Sequence, residues 1–241
     1  ALRAMAQALR DHAGEIMTAN SQDMEAGRTA GLSSAMLDRL FLDEERIEKI
    51  AVALEEIADL PDPVGHVLAE WTIENGLLIQ RVACPIGVIG VIFESRPDAL
   101  VQISALCLKS GNAVLLKGGS EAARTNRILA DTIRAAVADT RVPDGWIGLL
   151  ESREEVGRLL EMDDRVDLLI PRGSNAFVRY IMDHTRIPVL GHADGVCHTY
   201  VDRSAAPGTT LRRKTIDCPA SSMAMQRFLT PGCTSASLVS S

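Results

Sequence analysis

Residues 85–124, PIGVIGVIFESRPDALVQISALCLKSGNAVLLKGGSEAAR, constrain the fold more than any other part of the chain. A β-branched apolar run over 86–93 leads into the polar turn Glu94-Ser95-Arg96-Pro97-Asp98. The spacing predicts a helix over 99–109 that stops at Ser110-Gly111-Asn112. A second apolar run, 113–116, ends at Lys117-Gly118-Gly119-Ser120, where a second helix reaching residue 138 is expected to start, with Ile128, Leu129, Ile133 and Ala136 facing inward. Strand, turn and helix repeated in this order call for parallel strands joined by helical crossovers. Both polar turns follow the carboxyl ends of strands, where open α/β sheets bind ligands.

The preceding region reads as helical. Leu2, Met5, Leu9, Ile16 and Met17 predict one amphipathic helix over 1–20, interrupted at Asn20-Ser21. Residues 26–34 read as a loop, and Ser34 as the cap of a short helix starting at Ala35. Asp43 is the expected cap of the next helix, with Ile47, Ile50, Ala51, Leu54 and Ile57 on one face; Pro61 and Pro63 end it. Residues 71–82 predict a hairpin around Glu74-Asn75-Gly76, since Asn-Gly is a strong turn signal.

Beyond the central stretch, a strand is expected at 146–150 and a capping box at Ser152 and Glu155 before a helix over 154–162. A buried strand over 166–170 stops at Pro171-Arg172-Gly173-Ser174-Asn175, and a helix over 176–184 follows. Further strands are expected at 187–190 and 196–201, about five βα-type units in all. Residues 205–213 read as a short helix or loop, and the Ser- and Thr-rich tail from 230 onward as frayed.

Aromatic residues make up 3% of the chain against 46% hydrophobic, so aliphatic side chains must fill the core. A net charge of −7 argues against a nucleic-acid or anionic-membrane surface, which needs excess Lys and Arg. No apolar run approaches the ~20 residues of a membrane span, and no signal-peptide pattern is visible. The five cysteines are odd in number and form no CxxC pair, which favours a reducing, cytoplasmic setting over a disulfide framework. The first residue is Ala, so a fragment or processed product is expected.

Several groups could carry chemistry. At Lys117-Gly118-Gly119-Ser120 glycines allow close backbone approach, the helix start favours anions and Lys117 supplies a cation. A tight turn with a solvated lysine explains the same residues equally well. Arg172-Gly173-Ser174-Asn175 repeats the logic, with Arg172 suited to a carboxylate or phosphate; an ordinary N-cap at Ser174 or Asn175 is the simpler reading. Residues 94–98 fit a proline-started helix as readily as a site. His192, Asp194, Cys197 and His198 are ligand-like, but a strand would point Cys197 and His198 to opposite faces, which argues against a metal. Cys218 could be a nucleophile or a small buried apolar residue. No GxSxG elbow surrounds Ser222.

The runs GVIGVIFESRPDALVQISALCLKSGNAVLLKGGSEAARTN, VDLLIPRGSNAFV and RIPVLGHADGVCHTYVD, with LDRL at 37–40, resemble the glutamate-5-semialdehyde dehydrogenase (γ-glutamyl-phosphate reductase) family. This family also forms the C-terminal half of pyrroline-5-carboxylate synthases and belongs to the aldehyde-dehydrogenase-like superfamily. The resemblance implies an α/β fold, a Rossmann-like parallel sheet of the aldehyde-dehydrogenase-like type, with an N-terminal helical segment and a β-hairpin. It divides the chain into a helical segment 1–63, an NADP-binding domain 64–203, and a truncated start of the catalytic domain with a divergent tail, 204–241.

It further implies NADPH-dependent reduction of γ-glutamyl phosphate to glutamate-5-semialdehyde in proline biosynthesis, through a cysteine thioester. By superfamily similarity Lys117 and Ser120, with Gly118 and Gly119 between them, would face the adenosine ribose and its 2′-phosphate. Many NAD-preferring relatives carry Glu where Ser120 stands, so Ser120 supports NADP(H). Gly173 and Ser174 align with the turn near the cofactor phosphates, and Arg96, Asn175 and His192 are the substrate-side candidates. Arg96 aligns with the asparagine that helps hold the reacting oxygen.

The departures concern the catalytic segment. The family's nucleophilic cysteine aligns with Ser222 and its neighbouring Asn with Met223, leaving Cys218 as a displaced substitute. Relatives continue far beyond this segment. Two alternatives follow: a non-catalytic remnant that binds nucleotide or a partner, and another acyl- or aldehyde-dehydrogenase activity on a different substrate. Association with a second copy or a full-length relative is expected in either case.

Overall fold

Side chains alternating across β3 (Val88–Ile92) account for a sheet covered on both faces. Ile89, Val91 and Phe93 enter one core, with Val114 and Leu116 from β4 (Ala113–Lys117); Val88, Ile92 and Leu115 turn to the other. The computed structural model describes residues 1–94 and 96–191. Its main sheet is parallel and four-stranded, in the order β5-β4-β3-β6, with β5 at Ile147–Leu149 and β6 at Leu168–Pro171.

Chain direction explains the two layers. From β3 the chain steps through α5 (Pro97–Lys109) to β4 and through α6 (Ala123–Ala136) to β5. Both steps run the same way along the sheet, and Leu100, Val101, Leu129 and Ile133 of the two helices fill the same core. The chain then reverses: α7 (Arg153–Leu160) leads back to β6 on the far side of β3. Leu159 and Leu160 of α7 and Ile181 of α8 (Asn175–Asp183) pack with Leu169 and Ile92 on the opposite face. Gly90 permits this approach, since a Cβ there would stand 2.5 Å from Leu169 Cδ2.

Four helices precede the sheet: α1 (Leu2–Asp11), α2 (Ala13–Thr29), α3 (Ser34–Leu40) and α4 (Glu44–Asp59). Met5, Leu9, Ile16, Ile47, Ile50 and Leu54 join the core of α5 and α6. Arg10 ties α1 to α4, donating to Glu48 at 2.8 Å and Glu55 at 2.6 Å, and holds both carboxyls below the usual range. An antiparallel hairpin, β1 (Val67–Thr72) and β2 (Leu78–Val82), leaves Leu68, Trp71 and Leu78 exposed. Among the described residues no helix is long and apolar enough to cross a membrane. Cys84 and Cys107 are free thiols, and burial pushes Cys107 up to about 11.

Several boundaries differ from the sequence expectation. The first helix breaks at His12, and α2 runs through Asn20-Ser21 to Thr29, well into the expected loop. Asn20 does not interrupt the helix because its amide is buried and satisfied elsewhere, donating to Leu40 O and accepting from Leu42 N at 2.8 Å each. The cap of α3 is Ser33, whose Oγ accepts from Met36 N, one residue before the expected Ser34. The hairpin begins at Val67, four residues earlier than expected. The segment 187–190 forms a single bridge, Val189 to Leu169, in place of a strand. The expectations for 196–201 and 205–241 lie outside the described residues. The capping box at Ser152 and Glu155 and the Asp43 cap are both present.

Candidate functional site

Strand order places the polar turns together. The sheet reverses direction between β3 and β6, and ligands of open α/β sheets bind beyond the carboxyl ends of the strands at such a reversal. Three backbone bonds carry the ladder into the turns: Phe93 N–H donates to Lys117 O at 2.9 Å, Leu150 N–H to Leu116 O at 2.7 Å and Arg172 N–H to Ile92 O at 2.7 Å. The expected residues 94, 96–98, 117–120 and 171–175 therefore stand at the carboxyl end of the sheet, although two of the turns are more than fifty residues apart in sequence.

Lys117 ends β4 half-buried, its Nζ donating to Gly118 O at 2.5 Å. Gly118 is buried, and a Cβ there would stand 2.2 Å from Asn126 Nδ2 and 3.3 Å from Phe93 Cε2. At Gly119 the atoms nearest a Cβ would be those of the Glu121 carboxylate. Ser120 is exposed and opens a 3-10 turn, Ser120–Ala122, so the α-helix starts three residues later than the sequence suggests. Beside this turn Arg127 grips Glu151 with two hydrogen bonds of 2.8 Å. Those bonds, and to a lesser degree nearby Lys117, hold the Glu151 carboxyl below the usual range.

Across the reversal, Gly173 leaves room that a side chain would fill: its Cβ would lie 3.1 Å from both Glu94 Oε1 and Phe177 Cδ1. Ser174 caps α8, its Oγ accepting from Phe177 N at 3.3 Å, so the simpler reading of Ser174 is realised. Ser174→Ala is expected to cost about 1 kcal/mol and to lower Tm by roughly 2–4 °C, read by thermal denaturation. Asn175 is the first residue of α8 and is exposed. Arg96 precedes Pro97 at the start of α5, exposed apart from a 3.3 Å bond to Asp98. Its guanidinium is available to an anion at the reversal point.

His192, Cys218 and Ser222 lie outside the described residues. Among the described residues no cluster of His, Cys, Asp and Glu could hold a metal ion. Sequence reading missed Asn126, Arg127 and Glu151, which reach the site through contacts made by folding.

The geometry suits a nucleotide-like ligand, with a cation and stripped backbone at β4 and a helix start opened by glycine at β6. The model of the aldehyde dehydrogenase family matches residues 1–201. A gamma-glutamyl phosphate reductase from Pelotomaculum thermopropionicum is 55% identical over 205 residues, 85% of this chain and 47% of its own. The crystal structure of the gamma-glutamyl phosphate reductase of Thermotoga maritima matches with a TM-score of 0.75 and 38% identity, over 78% of this chain and 46% of that one. The Saccharomyces cerevisiae counterpart matches with a TM-score of 0.74 and 43% identity, over 81% of this chain and 50% of that one. The chain spans about half the length of the curated relatives it matches.

Proposed function

The chain belongs to the aldehyde dehydrogenase family, whose members use a nicotinamide cofactor, and from that premise we propose that it is the NADP(H)-binding part of a γ-glutamyl-phosphate reductase. The reaction on this reading is reduction of γ-glutamyl phosphate to glutamate-5-semialdehyde, a step of proline biosynthesis, in a reducing, cytoplasmic setting. The observation that carries the reading is 55% identity to a reductase of that name across all the described strand-end turns.

The residues fit such a cofactor. At Gly118 a Cβ would collide with Asn126, and at Gly173 it would press on Glu94 and Phe177, so glycine keeps side-chain bulk away beside Lys117 and at the start of α8. A bound nicotinamide dinucleotide supplies the hydride for such a reduction. Lys117 offers the charge for a 2′-phosphate, and Ser120 lacks the carboxylate that would repel one. Gly173 and the capped start of α8 receive the diphosphate. Arg96 and Asn175 would face the acyl-phosphate substrate and stabilise negative charge there; His192, the third residue expected on that side, lies outside the described residues.

The exposed hairpin, with Leu68, Trp71 and Leu78 uncovered, supports association with a second copy or a full-length relative. Ser222, standing where the family has its nucleophile, favours a second reading: a nucleotide-binding chain without turnover of its own.

Calorimetric titration with NADPH, and separately with NADH, tests the proposal. Saturable binding with NADPH tighter by at least ~10-fold is expected, a difference of about 1.4 kcal/mol. A chain that is folded by circular dichroism and binds neither nucleotide would overturn the cofactor assignment.

A further inference from the structure

We infer that Asp23 is a positioning residue for the 117–120 turn: its buried carboxylate caps α6 from a neighbouring helix and so sets where Lys117 and Ser120 stand. The cofactor half of this inference rests on the reading above.

Helix α6 lacks a cap of its own. Its N-cap position is Ala122, which has no side-chain acceptor, and alanine ranks among the poorest residues there. The amide that a cap would serve, Thr125 N–H at the third helical position, donates instead to Asp23 Oδ2 at 2.8 Å. Thr125 Oγ1 donates to the same oxygen at 2.8 Å, and Arg124 Nη1 reaches Asp23 Oδ1 at 3.2 Å. Asp23 is 2% exposed, so water is largely excluded from these bonds.

Asn20 extends the arrangement. It stands three residues before Asp23 on α2, hence on the same face. Its Nδ2 donates to Thr125 Oγ1 at 3.3 Å and to Leu40 O at 2.8 Å. The threonine hydroxyl thus accepts from Asn20 and donates to Asp23. Met24, Leu40 and Ala122 pack together beside it. The 3-10 turn Ser120–Ala122 is all that separates this anchored helix end from Lys117-Gly118-Gly119.

The arrangement alters how the turn can hold an anion. The sequence suggests two attractions, a helix start and Lys117. Asp23 already places a carboxylate on the Thr125 amide of α6, where it offsets the positive end of the helix. A phosphate at this turn must then depend on Lys117 and on the exact position of the turn, which Asp23 controls through α6.

The test uses the full 241-residue chain with Asp23→Ala, Asp23→Asn and, as a packing control on the same helix, Ile16→Val. Hydrogen exchange of amides 118–125 reads turn position without any ligand, and titrations give NADPH and NADH affinities. Asp23→Ala is expected to speed exchange across 118–125 and to lower the NADPH-to-NADH affinity ratio by ~5-fold or more, with NADPH binding bearing the loss. Asp23→Asn keeps an acceptor for Thr125 N–H and recovers part of both effects. Ile16→Val lowers Tm and leaves both readouts unchanged. Parental exchange at 118–125 and a parental affinity ratio in Asp23→Ala would overturn the inference. If Asp23→Ala fails to fold, the same two readouts on Asp23→Asn decide it. If the parent binds neither nucleotide, the cofactor reading falls, and exchange alone decides whether Asp23 positions the turn.

Discussion

Gly118→Ala is expected to weaken NADPH binding by at least ~10-fold in a chain that still folds, and Asn126→Ala added to it is expected to recover most of the loss. The new Cβ would stand 2.2 Å from Asn126 Nδ2 and 3.1 Å from Asn126 Cγ, so one of the two residues must move. Asn126 is 3% exposed and held in the first turns of α6, and it cannot swing into water. Moving the turn is the alternative, and the turn carries Lys117. Overpacking of this kind costs about 1–3 kcal/mol, enough for a 10- to 100-fold change in affinity if it falls on the ligand site.

Asn126→Ala alone should change stability by less than ~1 kcal/mol. It leaves a small cavity, but it also removes a buried Oδ1 that has no hydrogen-bond partner among the described residues. The double variant therefore separates two causes. Recovery means that Gly118 is required by its packing against Asn126. Losses that simply add would overturn the packing account and assign the glycine to direct approach by the ligand. Gly119→Ala provides a milder comparison, because the atoms nearest its Cβ are the far end of a flexible side chain, the Glu121 carboxylate. Calorimetry on the parent and the four variants, with circular dichroism for folding, supplies the numbers.

Legibility in the sequence follows the range of the interaction. Pro97 at a helix start, the Ser152–Glu155 box and the Asn75-Gly76 turn act within a few residues, and each is present where expected. The parallel sheet was legible because fully buried strands need β-branched runs, and the superfamily likeness added its doubly wound form. Failures came where a distant group decides. Asn20 reads as a helix breaker because its side chain competes for local backbone, yet Leu40 and Leu42 take its hydrogen bonds. Asn112 reads as part of a stop signal but clamps the entry to β3, accepting from Ile86 N at 2.6 Å and Gly87 N at 2.9 Å. Gly87 itself has φ 127, and a Cβ there would meet the Asp167 carboxylate that binds Val88 N. Neither partner is near it in sequence. The site shows the same division. Lys117, Gly118, Gly173 and Ser174 stand out because strand-end turns are local patterns, whereas Asn126, Glu151 and Asp23 join them only through tertiary contacts.

On the proposed reading, the 241-residue chain is expected to bind NADPH and yet to turn over substrate at least about 10³-fold more slowly than a full-length relative. On that reading Ser222 takes the place expected for the family's nucleophilic cysteine. A thiol with an ordinary pKa near 8.5 is already partly ionised at neutral pH, and a serine hydroxyl needs a dedicated base. An oxyester also accepts hydride less readily than a thioester. The chain matches 47% of the Pelotomaculum reductase, so length is tested beside the nucleophile. Two variants divide these causes. Ser222→Cys in the chain as it stands should gain a reactive thiol, detectable by a thiol reagent, with little gain in turnover. The same substitution in a chain extended by the remaining half of a relative should gain turnover strongly. The assay follows NADP reduction with glutamate-5-semialdehyde and phosphate, the reverse of the proposed direction. Turnover by the unaltered chain within tenfold of a full-length relative would refute the argument from Ser222. Strong turnover from Ser222→Cys alone would show that the thiol, and not the additional length, is the missing component.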